Sequence, residues 1–222
     1  HKIAFGDAKD GAITIVNVWK NIDFTPPTYK VSFVDYDGSI LKTQMVPKNS
    51  SAIPPANPTR SGHSFTGWDG DYSNITENTT ITAQYATNTY SVNFIDWNGN
   101  VLKSQSVKHG ESASPPPSPT REGHTFQGWI GDYTNVTGNR TITASYKILT
   151  FTITFDSNGG TPVSSQIITY GDKAGYPAEP VKKKNKFMGW FTASGTKYDF
   201  QQPVKSFMTL YAHWDEEPVI TT

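Results

Sequence analysis

Apolar and polar residues alternate over short stretches that return at a fixed interval along the chain. Tyr29-Lys30-Val31-Ser32-Phe33-Val34-Asp35 puts Tyr29, Val31 and Phe33 on one face of a two-residue period, and Tyr90-Ser91-Val92-Asn93-Phe94 and Phe151-Thr152-Ile153-Thr154-Phe155 repeat the arrangement. That period at this length predicts half-buried β-strands. Each stretch runs into a turn: Asp35-Tyr36-Asp37-Gly38-Ser39, Asp96-Trp97-Asn98-Gly99-Asn100 and Asp156-Ser157-Asn158-Gly159-Gly160. Because glycine accepts positive φ, an Asp-Gly or Asn-Gly step between two apolar runs predicts a hairpin. Return strands then fall over residues 40–46, 101–107 and 163–170, third strands over 63–68, 124–129 and 186–190, and last strands over 79–85, 140–146 and 208–214.

Between the second and third strands every unit has a proline-rich crossing: Pro47 to Pro58, Pro115 to Pro119, and Pro177 with Pro180. Proline fixes φ and removes a backbone donor, so a long helix cannot form there. At most one helical turn fits, near residues 49–53 or 111–114. The expected fold class is therefore mainly β, a small α+β module of four strands with an irregular crossover.

The period is set by one segment. Pro58-Thr59-Arg60-Ser61-Gly62-His63-Ser64-Phe65-Thr66-Gly67-Trp68 comes back as Pro119-Thr120-Arg121-Glu122-Gly123-His124-Thr125-Phe126-Gln127-Gly128-Trp129, and a weaker copy ends in Lys186-Phe187-Met188-Gly189-Trp190. Trp68, Trp129 and Trp190 are spaced by 61 residues each time, the signature of a tandem array. Units of roughly 60 residues have little volume to bury, so one indole per unit is expected to be central to each core, with the preceding glycine admitting a close neighbour. The organisation expected is repeat 1 over residues 29–89, repeat 2 over 90–150 and a divergent repeat 3 over 151–215. Residues 1–28 are expected to be the tail of a preceding unit plus a stiff linker at Pro26-Pro27, because Ala12 to Trp19 resembles the closing strands. Residues 216–222 are expected to be a C-terminal tail, and the expected linkers between units are Ala86–Thr89 and Lys147–Thr150. An excerpt of a longer chain is the expectation.

Composition narrows the function classes. With 19 basic and 19 acidic residues and a pI near 7.1, the chain has no electrostatic footprint for nucleic acid. The balance holds unit by unit, at four Lys/Arg against five Asp/Glu, five against four, and seven against seven. Zero cysteines exclude disulfides and thiolate metal sites, which fits a secreted bacterial protein and equally a cytosolic one. No apolar run approaches the roughly 20 residues of a membrane-spanning helix, and no signal peptide opens the sequence.

The opening strand, the Asp-x-x-Gly turn, the Pro-Thr-Arg-x-Gly-His-x-Phe-x-Gly-Trp segment and the close Thr80-Ile81-Thr82-Ala83-Gln84-Tyr85 resemble the Listeria–Bacteroides repeat family, which includes the B-repeat of internalin. The likeness covers residues 29–214 and is weakest in repeat 3, which lacks the Pro-Thr-Arg-x-Gly-His segment and carries four extra residues between Trp190 and Tyr211. The resemblance implies a β-grasp-like module found in tandem on secreted and wall-attached bacterial proteins, and no enzymatic activity.

Candidate chemistry is sparse. Asp35-Tyr36-Asp37-Gly38 has the start of a calcium loop, but the twelfth position, where such a loop needs Glu, is Val46. His63 could pair with Asp69 or Asp71, yet Ile130 replaces Asp69 in the second copy, and a strand-edge histidine bonded to the crossing is the better account. No catalytic template is present. Most aromatics fall on core faces, with Trp97 in its turn the exception that could stack on a sugar. Lys182, Lys183, Lys184 and Lys186 could meet an anionic polymer, although a solvated loop is the plainer account. The sequons at Asn49, Asn74, Asn78, Asn135 and Asn139 are treated as turn formers. No catalytic, cofactor-binding or metal-binding residue is assigned. The expectation is a non-catalytic extracellular array serving as stalk or spacer, with a contribution to adhesion. The alternative is a module for glycans or wall polymers. Partners would be host or wall glycans or host surface proteins, without nucleic acid or membrane insertion, on an elongated monomer.

Overall fold

The computed structural model describes residues 25–216. The expected strand at Ala12 to Trp19 lies outside the described residues. The chain divides into two compact units between Ala86 and Thr87.

The first unit holds four strands: β1 (Thr28–Val34), β2 (Ile40–Pro47), β3 (His63–Asp69) and β4 (Thr79–Thr87). They form one sheet in the order β2-β1-β4-β3. β1 and β2 are an antiparallel hairpin, in register from Thr28 opposite Pro47 to Val34 opposite Ile40. β1 also lies parallel to β4, with Val31 beside Thr79 and Phe33 beside Ile81. A parallel neighbour needs a crossover, which the chain makes through residues 48–62. The alternation of β1 buries Val31 and Phe33, and these pack with Val46, Ala52, Ile75 and Ile81.

The crossing contains no helical turn, and among the described residues there is no helix anywhere, so the α component expected from the sequence is absent. Its backbone groups bond to the loop between β3 and β4 instead. The Asn49 N–H donates to the Ile75 carbonyl at 2.8 Å, Ile75 N–H to Ser50 at 3.0 Å and Ala52 N–H to Tyr72 at 2.7 Å. With those groups engaged across the loop, and Pro54 and Pro55 having no donor, the crossing runs extended.

The second unit contains two sheets of the same order. β5 (Thr89–Ile95), β6 (Val101–Lys108), β7 (His124–Ile130) and β8 (Arg140–Ile148) are arranged β6-β5-β8-β7. β9 (Thr150–Asp156), β10 (Gln166–Thr169), β11 (Asn185–Phe191) and β12 (Met208–Glu216) are arranged β10-β9-β12-β11. Strands run further than expected into the linkers, leaving only Leu149 between β8 and β9. β10 is shorter than the expected 163–170. Pro162 offers no donor, and the preceding residue is drawn to the crossing, with Thr161 N–H on the Val181 carbonyl at 2.9 Å and Val181 N–H on Thr161 Oγ1 at 2.9 Å.

The repeated tryptophans divide. Trp190 is 1% exposed, whereas Trp68 and Trp129 are only partly buried against their cores. The strand register sets Met208 where Thr79 and Arg140 stand, so Trp214, not Tyr211, corresponds to Tyr85. Repeat 3 therefore carries seven extra residues between β11 and β12, not the four expected. This longer loop brings Tyr198 and Phe200 over the core and ties Tyr198 N–H to the Trp190 carbonyl at 2.8 Å. A close neighbour stands at the preceding glycine only in repeat 3, where a Cβ on Gly189 would come within 2.9 Å of Lys197 Cε. A Cβ on Gly67 or Gly128 would meet nothing within 4 Å. Gly128 instead has φ of 135° at the point where the register of β7 against β8 shifts, a β-bulge conformation that disfavours side chains.

Candidate functional site

At the turn end of repeat 1 the three repeated motifs converge. Asp35 closes the β1–β2 turn, accepting the Gly38 N–H on its carbonyl at 3.0 Å and the Tyr36 N–H on Oδ1 at 2.8 Å. That same Oδ1 accepts the Tyr85 hydroxyl of β4 at 2.7 Å. The Arg60 guanidinium lies 3.9 Å from the Tyr36 ring centroid and 5.8 Å from that of Tyr85. Phe65 of β3 meets Tyr85 edge-on at 5.9 Å and Trp68 at 5.3 Å. The crossing, the hairpin turn and the last strand are thus clamped together by one arginine and a ladder of rings.

Repeat 2 builds the same cluster from different rings. Tyr146 donates to Asp96 at 2.6 Å, and Arg121 lies 4.2 Å from the Trp97 ring centroid and 5.8 Å from that of Tyr146. Repeat 3 replaces the parts: Trp214 Nε1 donates to the Ser157 carbonyl at 2.9 Å, and Lys182 Nζ sits 5.8 Å from the Trp214 ring while donating to the Asn158 carbonyl at 3.0 Å. One arginine–aromatic contact contributes about 0.5–2 kcal/mol, enough to seat a loop on a small module. Burial, followed by the bond to Asp35, pushes the Tyr85 phenol up to about 12, and burial with the Asp96 bond does the same for Tyr146. Both remain protonated donors at neutral pH.

The other candidates are accounted for locally. His63 Nδ1 is 2.8 Å from the Ser61 carbonyl and His124 Nδ1 is 2.8 Å from that of Glu122, so each histidine bonds the crossing at a strand edge. Asp71 accepts from the Ser73 N–H at 2.8 Å and hydroxyl at 2.6 Å, which hold its carboxyl below the usual range, rather than facing His63. Asp37 caps Ser39 N–H at 2.9 Å within the turn. Lys182 belongs to the repeat 3 cluster, while Lys183, Lys184 and Lys186 are exposed. Trp97 is 53% exposed with Arg121 against one face.

The clamp itself was not foreseen. Its signal was present: Arg60, Asp35 and Tyr85 all recur 61 residues later as Arg121, Asp96 and Tyr146. Polar and aromatic residues held at one period across three separate segments point to a mutual contact.

Four-stranded sheets of one order, each with a turn-end cluster in the same place, define a class of small tandem β-modules. A family model for the Listeria-Bacteroides repeat domain matches residues 29–89, 90–149 and 151–213. The chain belongs to that family, a repeat of bacterial surface proteins. A protein of Evansella cellulosilytica provisionally named as a membrane protein is 32% identical over 209 residues, covering 84% of this chain and 32% of the relative. Internalin H of Listeria monocytogenes is 34% identical over 86 residues, covering 34% of this chain and 15% of the relative. The chain thus spans at most about a third of these relatives' length. Among solved structures, domains 3-4 of a cell surface protein with Streptococcal High Identity Repeats in Tandem match at a TM-score of 0.28 and 20% identity, over 55% of this chain and 99% of theirs. A TM-score of that size carries no argument about the fold.

Proposed function

We propose that this chain is a non-catalytic, extracellular part of a bacterial surface protein that acts as a stalk or spacer and contributes to adhesion. The observation that carries the proposal is the use made of the polar and aromatic groups that recur in repeats 1 and 2. Arg60, Asp35 and Tyr85, and their counterparts Arg121, Asp96 and Tyr146, satisfy one another within the module. Groups engaged in holding a loop to a sheet are scaffold, and a scaffold repeated in tandem is suited to spanning distance. The β-grasp-like character of the module, drawn from a parallel central pair flanked by antiparallel strands, and the proline-rich crossover as its signature belong to the same proposal.

Exposed Trp97 favours a second reading, in which repeat 2 binds glycans or wall polymers through an aromatic platform. Glycan arrays and sedimentation with purified cell walls at physiological salt separate the two. The stalk reading expects no retention above that of the Trp97→Ala variant. Retention that disappears in Trp97→Ala would replace it with the binding module.

A further inference from the structure

We infer that the turn Arg121-Glu122-Gly123-His124 of repeat 2 is a docking seat for repeat 3, so that the two modules form one locked pair. Leu149, the single residue between β8 and β9, is bonded in both directions. Its N–H donates to the Gly123 carbonyl of repeat 2 at 2.8 Å, and its carbonyl accepts the Tyr170 N–H of repeat 3 at 2.8 Å. The Tyr170 ring lies directly over Gly123, where any Cβ would overlap its atoms.

Polar groups close over this contact. The Tyr170 hydroxyl donates to the Glu122 carboxylate, and Lys205 Nζ reaches the same oxygen at 3.4 Å while lying 5.8 Å from the Tyr170 ring centroid. The Tyr170 bond first, then Lys205, holds the Glu122 carboxyl below its usual range. An exposed ion pair contributes little by itself, so the seated ring and the two backbone bonds make the joint and the carboxylate orients it.

Repeat 3 shows what Gly123 is for. Its corresponding turn, Lys182 to Asn185, places Lys184 at φ of 61°, close to the 69° of Gly123. The turn therefore accepts a side chain at this position, and the glycine of repeat 2 answers to the tyrosine stacked on it. Sixty-one residues before Glu122 and Tyr170 stand Ser61 and His109, so this carboxylate and phenol pairing is particular to the joint between repeats 2 and 3. The lock is independent of whether the array is a stalk or a binding module.

The chain has no cysteine, so spin labels can be placed on the full chain through Ser106→Cys in repeat 2 and Lys186→Cys in repeat 3, both at exposed sites. Pulsed dipolar spectroscopy should give a single narrow distance distribution. Gly123→Lys, which copies the turn of repeat 3, and Tyr170→Ala should each abolish the narrow population while the Trp129 and Trp190 indole resonances stay at their native positions. A broad distribution in the labelled parent, or a narrow one retained in both variants, overturns the inference. If Gly123→Lys unfolds repeat 2, Tyr170→Ala decides alone.

Discussion

Trp190→Ala should melt repeat 3 selectively, and by more than Trp129→Ala affects repeat 2. The Trp190 ring is 1% exposed and packs edge-on against Phe155 at 4.9 Å and Phe187 at 5.5 Å. A tryptophan buries roughly 150–250 Å², which at about 25 cal/mol/Å² is about 4–6 kcal/mol before the alanine methyl is credited. Measured truncations of this kind cost about 3–5 kcal/mol. A domain of this size holds on the order of 3–9 kcal/mol in total, so the variant loses most of it, and the midpoint of repeat 3 should fall by roughly 12 °C or more. Trp129 leaves part of its ring in solvent, so its truncation should cost about 2–3 kcal/mol. Heating the full chain while following indole N–H resonances reads the modules separately, with Trp214 reporting repeat 3, Trp97 repeat 2 and Trp68 repeat 1. If the Trp214 signal in Trp190→Ala survives as far as in the parent, or if Trp129→Ala is the more damaging, the assignment of the indoles is wrong.

Gly131→Ala should destabilise repeat 2 by about 1–3 kcal/mol, because Gly131 sits at φ of 116° and a Cβ there would come within 2.8 Å of the Cδ1 of buried Ile142; a midpoint unchanged in thermal denaturation would refute it. Tyr85 and Tyr146 should ionise near pH 12, later than ordinary phenols at 10.0. The folded state favours the protonated phenol, so their contribution to stability is complete below about pH 10 and is lost as pH rises through about 12. Phenolate absorbance should therefore show a late component that Tyr85→Phe and Tyr146→Phe together reduce, leaving the share of Tyr170, Tyr176 and Tyr198, which are also raised. An unchanged titration in the double variant would contradict the bond to Asp35 and Asp96.

All the strands but β10 were legible because they write their period over five or more residues, and the hairpin turns because Asp-Gly and Asn-Gly strongly favour one conformation. What the sequence left hidden depends on contacts between distant segments. Whether residues 49–53 coil or run extended is decided by the carbonyls of Tyr72 and Ile75, which lie 20 and 26 residues from the groups they bond. Equal spacing made Trp68, Trp129 and Trp190 look alike, but spacing says nothing of what covers them, and only repeat 3 has Tyr198 and Phe200 to do so. The arginine clamp was legible in principle and unread, since its members lie in three motifs that each had a local explanation. Gly123 was indistinguishable from Gly62 by sequence, and its tie to Tyr170 belongs to the fold of the pair.

The central proposal, a scaffold that spans distance, is tested most directly by small-angle X-ray scattering of the full chain in dilute solution. Repeat 2 feeds into repeat 3 through Leu149 alone, with a joint seated on Gly123, which leaves repeat 3 little room to fold back on repeat 2. A radius of gyration well above the roughly 17 Å of a globule of this length, with a distance distribution skewed to long vectors, is the predicted result. A radius near about 17 Å with a symmetric distribution would contradict the stalk and leave a single composite globule in its place.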